Sequence, residues 1–439
     1  MDMRGSSRAR AQIQAAGRGL AARANGSLHF VMRSLRAPLL FLLTALAALA
    51  QTHLPILIQH NFEGGSLGKV EKLGDTQFRL HVAGQHDERG RNRQASWYFF
   101  RMDRVAGRDL TLTLTDFVGE YNDKPGACPM YAETIPVFSY DGRTWTHFPA
   151  MEWDDQLKEA TLKFRPESNT VWIAHVPPYT HSDLLKLLAE LDHSPHARLE
   201  VIGKTVQQRD LHLVTVTDFT VPDDAKKTVW LQARQHAWEA GTSYVMEGAL
   251  RFVTSADPRA AELRRQTVFK FTPMMHPDGC ANGWVRFNAN GFDVNRHWDV
   301  VDLRDKEKLR LMPEIWYVKR ALFAYLDSGR RIDLMINMHN TEVTEFIDTF
   351  ADDDASQAMM QRLYTNLVEK TSFDPSRKLG IQKNPPNTTN SLYTERKVPV
   401  LLMEQRTGRS RKLGRQPTVA DRLQFGRDLI AVMAETVRE

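Results

Sequence analysis

The sequence predicts an α/β protein in two parts, an N-terminal antiparallel β-sandwich followed by an α/β domain with a mixed sheet flanked by helices. Three observations carry this. A chain of 439 residues, 42% hydrophobic, exceeds one ordinary domain and suffices for two cores. From residue 54 to about 177 it consists of short runs rich in β-branched and aromatic residues, punctuated by Gly, Asp, Asn and Pro. Beyond Pro177-Pro178 the texture changes to alternating strands and helices.

The strand runs of the first part are "QFRLHVAG", "SWYFFRMD", "DLTLTLTDF", "IPVFSYDGRTWTHF", "ATLKFR" and "VWIAHVPPY". Asp141-Gly142, between "PVFSY" and "RTWTHF", is a hairpin signal. The second part opens on "HSDLLKLLAELD", with Leu at helical spacing and Ser182 as the expected N-cap. Strands follow at "RLEVIGKT", "LHLVTVTDF", "KTVWLQARQ", "VFKFTPMM", "IDLMINMH" and "VPVLLMEQ". Helices are expected over about 241–254, 313–327 and 355–370 and at the C-terminus. The predicted divisions are residues 1–50, 51–177 and 178–439.

Residues 1–50 read as a targeting segment. Seven arginines and one acid, Asp2, lie within residues 1–36. Setting them aside leaves 51 basic against 52 acidic residues, so the folded part has no basic excess and a nucleic-acid partner is not expected. "MRSLRAPLLFLLTALAALAQ", from Met32, has the basic, apolar and small-residue order of a secretory signal peptide cleaved after Ala50. Residues 1–31 read as an over-extended basic region ahead of it. The apolar run is too short to span a bilayer comfortably. The expectation is a secreted or periplasmic protein with no stable membrane insertion after cleavage. Cys128 and Cys280 are too few for a disulfide scaffold and fall in different predicted domains, although export would permit a bond between them. Oligomeric state is not legible.

In open α/β sheets, chemistry collects at the carboxyl ends of strands. "KTVWLQARQ" runs into His236 and Glu239, "RIDLMINM" ends at His339, and "KVPVLLM" ends at Glu404. Taken alone, His236 and Glu239 could equally be a polar pair at a helix start. Two His nitrogens and one carboxylate would supply three ligands to Zn²⁺ and leave a fourth position for water. A second carboxylate outside the ligand set could then accept a proton.

These segments resemble the zinc carboxypeptidases of the M14 family, most closely the cytosolic, tubulin-deglutamylating branch. "RQHAWEAGTSYVMEGALRFVTS" is similar to that branch's first-ligand segment, and "FTPMMHPDGCANGWVRFNANGFDVNRHWD" to its Pro-Asp-Gly, Arg and Asn-Arg series. "VWIAHVPPYTHSDLLKLL" is similar to the seam between its β-sandwich and catalytic domain. The resemblance implies one zinc per chain on His236, Glu239 and His339. It implies that Arg286 polarises the scissile carbonyl and that Asn295 and Arg296 grip the substrate's terminal carboxylate; Asp293, in the same "FDVNRHW" run, is read as helping to orient Arg296. An Arg suits that planar anion because it donates two parallel hydrogen bonds. Glu404 would be general base and then acid, and the substrate the C-terminus of a peptide or protein.

The chain also departs from the branch. "INMHNTEVTEF" lacks its His-Gly-His pattern, and "LLMEQRTG" is more similar to the ending of the digestive carboxypeptidases. "NSLYTERK" nominates Glu395 as a rival base; Glu404 is preferred because it ends an apolar strand and precedes Arg-Thr-Gly. Tyr393 is expected to line the pocket. Two rivals stay open: a cell-wall peptide hydrolase or deacylase on the same scaffold, and a non-catalytic secreted peptide-binding protein.

Overall fold

The computed structural model describes residues 54–383 and 387–439. The basic start and the signal-like segment ending at Ala50 lie outside the described residues. Residues 55–439 form one compact unit. No helix among the described residues is long and apolar enough to cross a membrane.

The N-terminal strands are β1 (Leu57–Gln59), β2 (Val70–Lys72), β3 (Gln77–His81), β4 (Phe99–Asp103), β5 (Leu110–Thr115), β6 (Gly119–Tyr121), β7 (Lys124–Ala127), β8 (Val137–Ser139), β9 (Thr146–His147), β10 (Glu152–Asp154), β11 (Glu159–Phe164) and β12 (Thr170–Ala174). They form two five-stranded sheets, ordered β1-β4-β12-β8-β9 and β10-β11-β5-β3-β2. Pairing is antiparallel apart from β3 with β5, which run parallel because the chain visits the other sheet as β4 between them. Period-two alternation sorts the side chains. Tyr98, Phe100 and Met102 enter the sandwich core with Leu112, Leu162 and Ile173, while Trp97 and Phe99 turn the other way into the core of the α/β part. The sandwich is thus packed on both faces of one sheet, which couples it to the second half of the chain. At the Asp141-Gly142 signal, β8 and β9 pair antiparallel across a longer loop than a two-residue turn. Asp141 Oδ1 accepts from the N–H groups of Arg143 and Thr144 there.

β6 and β7 form a separate hairpin, turned at Asn122 and Asp123 with φ of 50° and 61°. Two successive left-handed residues make the turn whose twist matches its strands.

The second part contains β13 (Ala197–Lys204), β14 (Asp210–Val216), β15 (Lys227–Gln232), β16 (Thr267–Thr272), β17 (Leu334–Thr341), β18 (Phe346–Thr349), β19 (Gly380–Ile381) and β20 (Val400–Arg406). Its helices are α1 (His181–Leu191), α2 (Ala240–Thr254), α3 (Pro258–Gln266), α4 (Pro277–Asn282), α5 (Lys306–Leu311), α6 (Pro313–Asp327), α7 (Asp354–Lys370), α8 (Ser391–Arg396) and α9 (Val419–Thr436). The sheet order is β13-β14-β16-β15-β17-β20-β18-β19. The central strands β16, β15, β17 and β20 are parallel and buried along nearly their whole length, as strands covered on both faces by helices must be.

Thr180, rather than Ser182, caps α1, in a capping box with Asp183; the Ser182 N–H instead donates to Glu63 Oε1 at 3.0 Å. Helices α2 and α9 touch through glycines. A Cβ on Gly248 would lie 2.0 Å from the Leu423 carbonyl oxygen, and one on Gly426 1.9 Å from that of Val245. That close backbone approach seats α2, whose first turn carries part of the site.

Candidate functional site

β15 is the switch point of the sheet: the next strand in the chain, β16, lies on one side of it and β17 on the other. The connections diverge there and leave a crevice over the carboxyl ends. The chain leaving β15 passes through Arg234, which is left-handed at φ 57°. The Arg234 guanidinium is fully buried and donates to the carbonyls of Tyr179 (3.1 Å) and Ala237 (2.6 Å) and to Ser243 Oγ (3.1 Å). It ties the turn into shape, so that His236 and Glu239, the N-cap residue of α2, point to one place. His339, on β17, is the direct register partner of Glu404 on β20.

The three residues expected to hold metal come together. His236 Nδ1 lies 2.7 Å from Glu239 Oε1, and His339 Nδ1 is 3.0 Å from Glu239 Oε2 and 3.2 Å from His236 Nδ1. Each His has an acceptor for a proton on its far nitrogen: His236 Nε2 faces Asp293 Oδ1 at 3.0 Å, and His339 Nε2 faces Gln235 Oε1 at 3.0 Å. The Asp293 carboxylate only accepts, so it fixes the His236 tautomer and frees that Nδ1 lone pair to face Glu239; His339 Nε2 also faces the amide nitrogens of Asn337 and Asn295, at 2.9 and 3.1 Å, while its Nδ1 faces Glu239. Lone pairs crowded this closely repel one another unless a cation lies among them. Two imidazole nitrogens and a carboxylate, all buried, therefore fit a zinc ion. Burial also lowers the His339 pKa and favours the neutral ring a metal needs.

Glu404 lines the same cavity. Its Oε2 is shielded from solvent and has no hydrogen-bond partner among the described residues. Burial, reinforced by the Glu239 charge, raises its pKa well above the ordinary carboxyl range. A cation at the ligand corner would pull it back down. The rival Glu395 is elsewhere, paired with Lys319 at 2.8 Å.

Arg286 and Arg296 enter from the loop between α4 and α5. Arg286 Nε donates to Asp293 Oδ2 at 2.6 Å. Burial raises the cost of charging Asp293, but Arg286 and then His236 outweigh it and hold its pKa well below the usual range. Asp293 therefore bridges Arg286 to His236; toward Arg296, the residue it was expected to orient, it offers its backbone carbonyl, which accepts the Arg296 N–H at 3.0 Å, while its carboxylate is taken up by Arg286, His236 and the Asn295 N–H. Asn295 donates its N–H to Asp293 Oδ1 at 2.8 Å and turns its side chain toward His339 Nε2 at 3.1 Å. Arg296 bonds the Asn295 carbonyl at 2.9 Å and reaches Tyr121 Oη at 3.3 Å. Tyr393 is not among the residues lining this cavity. Its hydroxyl donates toward Asp352 and Asp353, at 2.7 and 2.6 Å, because α8 turns it back toward the start of α7.

His236, Glu239, Arg286, Asn295, Arg296 and Glu404 share a cavity of about 560 Å³. The sandwich supplies part of its wall, which sequence reasoning missed. Gln85 Oε1 accepts the backbone N–H groups of Val285, Arg286 and Phe287, at 3.1, 2.7 and 2.9 Å, and Gln85 Nε2 donates to the Phe287 carbonyl at 2.7 Å. His175 stacks between Tyr98 and Trp238 with ring centroids 5.6 and 5.7 Å away. Its Nε2 lies 3.2 Å from Glu342. Trp238 and Glu342 both face the cavity. A lone Gln and a lone His carry no spacing signal, so nothing in the sequence pointed to them. Cys128 and Cys280 are both free thiols.

Family models match the chain in two blocks. Residues 184–344 fit a zinc carboxypeptidase model and residues 58–176 the N-terminal domain of cytosolic carboxypeptidases; together they take in more than half of the chain. Cytosolic carboxypeptidase 3 of Bos taurus is 24% identical over 367 residues, covering 76% of this chain and 35% of that protein. An uncharacterised protein of Zymomonas mobilis is 25% identical over 393 residues, covering 86% of this chain and 95% of that protein. The chain thus spans little more than a third of the length of the cytosolic carboxypeptidase 3 proteins it matches. Among solved structures, a metallo-carboxypeptidase from Burkholderia cenocepacia superposes with a TM-score of 0.76 at 21% identity, covering 88% of this chain and 99% of that one. At that identity the likeness speaks to the fold.

Proposed function

We propose, for a chain that belongs to the zinc carboxypeptidase family, that it hydrolyses the last peptide bond of peptides or proteins with a free C-terminus. The observation that carries the reading is the crowding of His236 Nδ1, Glu239 and His339 Nδ1 beside a cavity that His236 and Glu239 line together with Glu404, Arg286 and Arg296. His236, Glu239 and His339 would hold one zinc ion, which when bound supplies Lewis acidity and a more acidic water.

The remaining chemistry falls to the chain's own groups. Arg296, with Asn295 beside it, holds the terminal carboxylate and so selects the chain end. The Arg286 guanidinium, fixed by Asp293, donates to the oxygen that gains negative charge as water adds to the carbonyl carbon. Glu404 Oε2, with no hydrogen-bond partner among the described residues, takes a proton from the attacking water and hands it to the departing amine as the C–N bond breaks. Enclosure in a largely buried corner keeps bulk water from screening these charges.

The test is a four-way comparison of wild type and Arg296→Ala on free-acid and C-terminally amidated peptides. Losing a charge-assisted contact in a partly desolvated pocket costs roughly 2–5 kcal/mol, seen as a fall in kcat/KM on the free acid. Amidation should do similar harm to wild type and add little to Arg296→Ala. Efficient cleavage of the amidated peptide by wild type overturns the exopeptidase reading in favour of an endopeptidase or deacylase.

For location we propose export, on the strength of "MRSLRAPLLFLLTALAALAQ". N-terminal sequencing of the mature protein should start within a few residues of Gln51. Intact chain recovered from the cytosol overturns it.

A further inference from the structure

Among the residues that the N-terminal half contributes to the cavity wall, Tyr121 stands against both arginines. Tyr121 ends β6 in the N-terminal hairpin, yet its side chain lines both the 560 Å³ catalytic cavity and an adjoining cavity of about 390 Å³. Its ring lies 5.4 Å beneath the Arg286 guanidinium, and its Oη is 3.3 Å from Arg296 Nη2. At 40% exposure it is not a core residue.

The hairpin that carries it is braced against the loop before β4. Asp123 accepts from Asn92 Nδ2 at 2.9 Å and from Arg89 at 2.7 Å. Glu120 pairs with Arg91 at 2.5 Å, and its carbonyl accepts from Gln94 Nε2 at 2.6 Å. The same loop holds the Arg286 backbone through Gln85. Tyr121 and Arg286 are thus set relative to each other by one connected piece of backbone, and Tyr121 is presented to the site at little entropic cost on binding.

The hydrogen-bond inventory then points in one direction. A guanidinium only donates, so the Tyr121 oxygen is the acceptor from Arg296 and its own O–H proton remains to be given away. Among the described residues no acceptor receives it. A phenol beside two guanidinium groups, with a proton to donate, matches an anion with more than one oxygen. We propose that Tyr121, contributed by the N-terminal sandwich, donates a hydrogen bond to the substrate's terminal carboxylate alongside Arg296. The inference rests on the reading of Arg296 as the carboxylate anchor. It gives the sandwich a direct part in recognising the chain end.

The test is Tyr121→Phe, which keeps the ring under Arg286 and removes only the hydroxyl. Steady-state kinetics are measured for wild type and variant on one peptide as free acid and as C-terminal amide, with zinc content as a control. A hydrogen bond to a charged group lost without other change predicts a rise in KM of about tenfold or more on the free acid, with kcat altered much less. On the amide the variant should match wild type, and its zinc content should be unchanged. Equal discrimination between acid and amide by wild type and variant overturns the Tyr121 role and leaves the Arg296 reading standing. Equal losses on both peptides also overturn it, since they report a structural defect. If wild type itself does not distinguish acid from amide, both readings fall.

Discussion

His236, Glu239, His339 and Glu404 stand at or just beyond the ends of adjacent parallel strands, whereas Arg286 and Arg296 sit on a loop whose backbone is held by Gln85, 201 residues earlier in the chain than Arg286. The first corner inherits its geometry from sheet register: once β17 and β20 pair, His339 and Glu404 are neighbours without further help. The second has no register to rely on. It is positioned by side chains from elsewhere, by Asp293 within the loop, by Gln85 from the sandwich, and by Glu314 on α6, which accepts from Asn288 at 2.9 Å. The corner that would do the bond-breaking is thus built by the sheet, and the corner that would choose the substrate by packing between the two halves.

This contrast can be broken at several points, and the largest effect belongs to the sheet corner. Either His236→Ala or His339→Ala should leave a folded protein that has lost most of its zinc and its activity, because two ligands do not replace three. Metal content by elemental analysis checks this, and unchanged zinc would remove these residues from the ligand set. Next comes Glu404→Gln, which retains shape but cannot accept a proton. Turnover should drop roughly 10²-fold or more with zinc retained, while Glu395→Gln, on the far side of an ion pair with Lys319, should stay near wild type. The reverse result would move the base to α8.

The loop corner should respond more mildly and in a different parameter. Gln85→Ala strips the acceptor from three backbone N–H groups, a disturbance on the order of 1–3 kcal/mol. It should raise KM more than it lowers kcat and leave zinc content alone. A metal loss in this variant would show that the two corners are not separately built. The smallest effect tests the loop's other anchor by pH. Burial raises the Glu314 pKa from 4.5 to about 7, so between those values the folded state binds the extra proton and stability falls as pH rises. Below 4.5 the contribution is fully present; above 7 it is gone. Glu314→Gln should therefore gain in thermal midpoint relative to wild type on going from pH 5 to pH 8, and a pH-independent difference between the two would contradict the shift.

Periodicity and punctuation made much of the fold legible. The helix expected over 313–327 is α6, the one over 241–254 is α2 within a residue, and the run "IDLMINMH" becomes β17. Local chemistry was less secure where neighbours compete: Ser182 lost the capping role to Thr180, whose partner Asp183 stands at the third helical position, and Tyr393 was drawn to Asp352 and Asp353. The β6–β7 hairpin escaped notice because "GEYNDKPGA" has no alternating apolar face to bury.

What the sequence determined by itself is the pair of cores, the order of strands and helices, and the acid and imidazole residues at three strand ends, because each follows from spacing along a few neighbouring residues. What the tertiary structure decided is which polar groups meet. Asp293 joins Arg286 to His236, Gln85 holds the arginine loop, His175 backs Trp238 and Glu342, and Tyr121 reaches Arg296. Hydrogen bonds and ion pairs act over a few ångströms, and residues far apart in sequence come that close only after the two halves of the chain have packed, so no periodicity announces them.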